Sequence, residues 1–259
     1  MMLVEVDSPR YRLGDGAQKY VGLAAGVGLI GLAAALVVAL MSGEGGMARL
    51  AKSYLLAFLF INTIALGGLF FTFIHHATHA GWSTSLRRIG EIISGNLIWA
   101  WLAFLPILIM VIAGEGKLLY SWMDPAKVAK DFLYQHKQPY LNVPFWLIRA
   151  VFYFAVWAFF AWMFLKQSTA QDEDGDPKRT LFMQRLAPAA ALLFAITLTF
   201  SSVDWLMALE AHWFSTIFGV YLFAASCCGF FAAQIIAVYF LQRAGKLQNE
   251  ITLEHYQDM

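Results

Sequence analysis

Side chains able to do chemistry fall into two groups in this sequence. His75, His76 and His79 form an H-H-x-x-H run. Set four apart, His75 and His79 would share one helix face, the spacing of two metal or haem ligands. Imidazole also titrates near neutral pH, so the same run suits proton handling. A third reading is a histidine-rich helix end whose rings cap carbonyls. The second group is Asp204, Glu210 and His212, set among Trp205 and Trp213, with Arg149 the lone charge inside another apolar stretch. Carboxylate and imidazole together accept protons, and an arginine beside Asp204 keeps it ionised. A structural ion pair is the plainer reading of Arg149 with Asp204. Either way the two are expected to meet, with His212 close by.

Other chemistries find no residues. H-E-x-x-H, G-x-S-x-G and a phosphate-binding loop are all missing from the sequence. Cys227 and Cys228 are adjacent, which excludes an ordinary disulfide between distant segments, and two sulfurs are too few for an iron–sulfur cluster. His136 and His255 lie in a loop and a tail, and His212 falls a bilayer away from His75, so no bis-histidine haem site and no metal site are expected.

The elements that must hold these residues are membrane helices. Of 259 residues 60% are hydrophobic and only 14% charged, far from the roughly 25% charge of a soluble domain. Eighteen basic and seventeen acidic residues leave no basic field for nucleic acid. Six runs long enough to cross hydrocarbon lie near 20–41, 53–74, 92–113, 143–165, 186–205 and 214–241. Unbroken runs of this length read as helices, so the expectation is an all-α polytopic bundle in a lipid bilayer. Lys and Arg number eleven on the side of the termini against six opposite, placing both termini in the cytoplasm. The mixed-charge leader (Glu5, Asp7, Arg10, Arg12, Asp15, Lys19) argues against a cleaved signal peptide. Gly22-x-x-x-Gly26 in the first run allows close helix approach. The outer connection 114–142 carries Asp124-Pro125, an N-cap with proline at N1. Val128, Phe132 and Leu133 follow on what reads as one interfacial helix. The inner connection 166–185 reads as a charged, solvated loop.

Three segments carry a resemblance. Phe73-Ile-His-His-Ala-Thr-His-Ala-Gly-Trp82, Lys137-Gln-Pro-Tyr-Leu-Asn-Val-Pro-Phe-Trp-Leu-Ile-Arg149 and Ser202-Val-Asp-Trp-Leu-Met-Ala-Leu-Glu-Ala-His-Trp-Phe-Ser-Thr-Ile-Phe-Gly-Val-Tyr221 resemble the F-type membrane subunit of alternative complex III. That subunit belongs to the NrfD-like polysulfide-reductase family. The resemblance implies a quinol:electron acceptor oxidoreductase in the bacterial inner membrane. In it this chain would interact with quinone and conduct protons while carrying no redox cofactor of its own. It implies a second NrfD-like subunit, and iron–sulfur and multihaem cytochrome c subunits, as partners. Family members have about ten helices where this sequence has six runs, so the chain looks like an N-terminal portion. A secondary transporter and a purely structural membrane anchor are the competing readings. Against the first, no internal repeat or matched pair of broken helices is visible.

Overall fold

The computed structural model describes residues 16–43 and 45–259; the leader charges Glu5, Asp7, Arg10, Arg12 and Asp15 lie outside them. The described residues are helical without a strand, and six helices are long and apolar enough to cross a membrane. The chain is therefore an all-α, multi-pass membrane protein. The first two helices are α1 (Gly16–Met41) and α2 (Gly46–Ala77). The third crossing is split into α3 (Thr84–Gly95) and α4 (Ala100–Ile112), joined by a 3-10 turn at Asn96–Ile98. Two short helices follow, α5 (Pro125–Val128) and α6 (Phe132–Lys137). Next come α7 (Val143–Asp174), α8 (Pro177–Trp205), α9 (Phe218–Arg243) and the terminal α10 (Leu253–Asp258). An even number of crossings puts both ends of the described chain on one side, called here the His76 end; the opposite side is the Arg149 end.

Most helices outrun their apolar stretches. α2 starts at 46 rather than 53, the third crossing at 84 rather than 92, and α7 runs to 174 rather than 165. The sixth helix starts at Phe218 and not at 214. The segment 166–185 is accordingly not a loop. Only Gly175 and Asp176 interrupt the helices, Gly175 at φ 66° and Asp176 accepting from the Lys178 N–H ahead of Pro177. Charged side chains propagate a helix into water as readily as apolar ones do within lipid, so hydropathy marks the hydrocarbon and not the helix end. The connection 114–142 holds two short helices instead of one. Asp124 caps α5 and Asp131 caps α6, so Val128 and Phe132 belong to different elements.

Packing is aromatic around Trp205, which lies within 4.7–6.1 Å (ring centroids) of Phe58, Phe104, Phe154 and Trp157. At the other end Phe71 and Phe230 join α2 to α9, 5.2 Å apart. Buried hydroxyls on these helices satisfy themselves by bonding back one turn, Thr72 to the Gly68 carbonyl and Ser226 to that of Leu222. α1 stands apart. Nearly all of its surface is exposed, and Cβ atoms at Gly22 and Gly26 would meet nothing within 4 Å. Among the described residues the expected small-residue contact is not made.

Candidate functional site

At the Arg149 end a buried polar cluster joins α7 to α8. Arg149 Nε and Nη2 donate to the two carboxylate oxygens of Asp204 at 2.7 and 2.9 Å, a bidentate pair. Tyr153, one turn along α7, donates its hydroxyl to Asp204 Oδ2 at 2.6 Å. Arg149 Nη1 takes the Tyr140 carbonyl at 3.1 Å, and its guanidinium lies 3.9 Å from the Tyr140 ring centre and 4.2 Å from that of Phe145. Asp204 is fully buried and Arg149 nearly so. The last carbonyls of α8, which have no helical partner, are taken by side chains: Trp146 donates to that of Asp204 and Tyr120 to that of Trp205. Burial first, and then the Asp204 charge, push the Tyr120 and Tyr140 phenols above their ordinary values. Both therefore stay protonated donors at neutral pH.

His212 does not join this cluster. Its Nε2 lies 2.6 Å from Asp131 Oδ2 and its Nδ1 3.3 Å from Glu210, all three at the surface. The turn of 3-10 helix at Met207–Glu210 swings Glu210 and His212 out beyond α8. There Asp131, an N-cap the sequence reading passed over, meets His212. A pocket of about 370 Å³ opens at this end, lined by Lys137, Tyr140, Val203, Met207, Ala211 and Trp213 among others. Lys137 donates to the Ala211 carbonyl across it, and the Tyr140 hydroxyl is buried without a partner. Partial desolvation raises the Asp131 carboxyl, but hydrogen bonds from His212 and from the Leu133 and Tyr134 N–H groups outweigh it and hold it below its ordinary value. A depressed carboxyl stabilises the fold above its unfolded value, about 3.9, and that contribution is lost as pH falls through the folded value. Protection of the Leu133 and Tyr134 amides from hydrogen exchange, corrected for intrinsic rates, should thus hold from neutral pH to about 4 and fall only below it. Protection already declining well above pH 4 would show that the Asp131 carboxylate is not what holds these amides.

At the opposite end the histidines do not form the expected face. α2 ends at Ala77, and His79 sits at φ 55° in a left-handed turn, with the Ala80 N–H bonded back to the His75 carbonyl. His75 Nδ1 meets the Phe71 carbonyl at 2.7 Å. His76 is buried, stacked 5.6 Å from Phe164, with neither ring nitrogen partnered. Beside this helix end the sequence reading missed a buried acid. Glu91, 1% exposed, lies 3.1 Å from Arg88, which also pairs with Asp172 on α7. Its place just ahead of the apolar run, one turn after Arg88, was the available signal. A histidine held left-handed carries roughly 1 kcal/mol of strain that glycine lacks. His79→Gly should therefore raise thermal stability in detergent by about that much. A loss of turnover in the assembled protein would instead mark the His79 ring as a proton carrier.

Among the described residues no three His, Cys, Asp or Glu side chains gather as a metal site would require. No protein-family model matches the chain, and neither does any curated protein.

Proposed function

We propose that this chain is the quinone-interacting membrane subunit of a respiratory quinol:electron acceptor oxidoreductase, working in a bacterial cytoplasmic membrane. One observation carries the reading. Two of the segments that resemble the F-type subunit of alternative complex III, 137–149 and 202–221, together wall one pocket, and its lining residue Tyr140 lies against Arg149 of the buried ion pair. A slot that is mostly apolar, with a few polar groups at its edge, suits a quinol ring. Lys137 and Tyr140 line the slot, and the Tyr140 ring lies 3.9 Å from the guanidinium of Arg149, which Asp204 holds in place. Electrons from quinol pass to iron–sulfur and haem c groups on companion subunits. Its protons pass to the surface group of His212, Asp131 and Glu210. His75, His76 and Glu91 serve proton movement at the far end, and a second NrfD-like subunit packs alongside.

Gentle detergent extraction from native membranes tests this reading. Co-purifying iron–sulfur and multihaem subunits are expected, and a lone chain would favour a transporter or an anchor. Within the complex, Met207→Trp fills the pocket without touching the ion pair. It should raise KM for quinol about tenfold, the scale of a misfitted apolar site, at unchanged assembly.

A further inference from the structure

A second recess, sharing no lining residue with the Arg149-end pocket, lies where the third crossing breaks between α3 and α4. Its walls are Phe58, Asn62 and Ala65 of α2, with Asn96, Trp99 and Ala103 facing them, around a volume of about 240 Å³. Asn62 is 3% exposed, yet neither its amide nitrogen nor its amide oxygen has a partner. Asn96 spends its own amide N–H on the Ile93 carbonyl, which holds the 3-10 turn open. Ile61 and Trp99, 65% and 64% exposed, stand at the mouth, so the recess opens on the outer face of the bundle. In hydrocarbon an unpaired amide has no water to turn to, so an occupant must supply its hydrogen bond.

Depth and shape decide which occupant. Asn62 is sixteen residues from Gly46 and fifteen from Ala77, or about 24 and 22 Å along the helix, at the middle of the bilayer. A phospholipid headgroup cannot reach that depth, and an acyl chain offers nothing to an amide. A second copy docked two-fold would set recess against recess, and two hollows do not fill each other. The occupant that fits is a neutral lipid with a flat ring and a ring oxygen, able to lie between the Phe58 and Trp99 rings and bond the amide. We propose that the Asn62 recess binds such a ring-headed neutral lipid, a quinone or a sterol-like alcohol, independently of the reading given above for the Arg149-end pocket.

Photolabelling tests this on the full chain in phosphatidylcholine nanodiscs, with an azidoquinone in one arm and a diazirine sterol in the other. In at least one arm, label on the peptides around 58–65 and 96–103 should exceed that on α1 at least fivefold, α1 being the chain's own measure of bulk lipid contact. The arm that labels names the ring. Excess unlabelled lipid should remove the label, and Asn62→Leu should lower it to the α1 level. Should Asn62→Leu fail to fold, Ala103→Phe blocks the recess from the other wall and carries the same expectation. Label no denser than on α1 in both arms, or label unchanged in these variants, overturns the proposal. So does label confined to 137–141 and 203–214, which would leave the Arg149-end pocket as the ligand site.

Discussion

Arg149→Leu is expected to be the most damaging single change in the protein, costing about 3–5 kcal/mol, as loss of one member of a buried ion pair does. The variant leaves the fully buried Asp204 carboxylate with the Tyr153 hydroxyl alone. Asp204→Leu should cost less, because Arg149 keeps the Tyr140 carbonyl and two ring faces. It also lies about 9 Å from the start of α7, near enough for its head to lean outward. The double variant removes both charges and should regain most of the loss. Melting the four proteins in one detergent gives the coupling energy, expected at about 2 kcal/mol or more. A coupling near zero would mean that the two charges are held by their surroundings and not by each other.

Gly67→Val is the second large effect expected. A Cβ at Gly67 would fall on the Ser226 carbonyl and within 2.5 Å of the Phe230 Cβ, both on α9. Neither atom is the free end of a side chain, so α9 itself must move. Overpacking typically costs 1–3 kcal/mol, and a backbone obstacle should bring this case to about 3 kcal/mol or beyond. Gly22→Val on α1 meets nothing and should be silent. Retention of the monodisperse peak on size exclusion separates the two.

The six crossings were legible because lipid imposes a simple demand on composition, and the Arg149–Asp204 contact because only two charges lay at that depth on consecutive helices. Their ends were not legible. Lys166 and Arg179 read as loop, yet helix backbone continues through both. His79 was misread for a related reason: a four-residue spacing assumes that the helix goes on, and the left-handed residue that stops α2 is not a glycine. His212 was misplaced because chain proximity to Asp204 was taken for spatial proximity. The turn at Met207–Glu210 separates them, and Asp131 lies eighty-one residues from its partner. Asn62 went unnoticed because a search for charges passes over an amide, which in hydrocarbon lacks partners just as a charge does.

The bond between Arg149 and Asp204 also sets terms for biogenesis. Fifty-five residues separate the two, so at 5–20 residues per second the arginine emerges from the ribosome roughly 3–11 s before its counter-ion. During that interval α7 alone would carry an unpaired arginine into lipid, at roughly 2.5–3.5 kcal/mol on insertion scales if it lay at the centre. The two-residue turn at Gly175 and Asp176 keeps that interval short, because it lets α8 fold back along α7 with no loop to synthesise between them. A neutralised hairpin is the expected unit of release into lipid, so lengthening that turn should slow its release and expose the nascent chain to proteolysis.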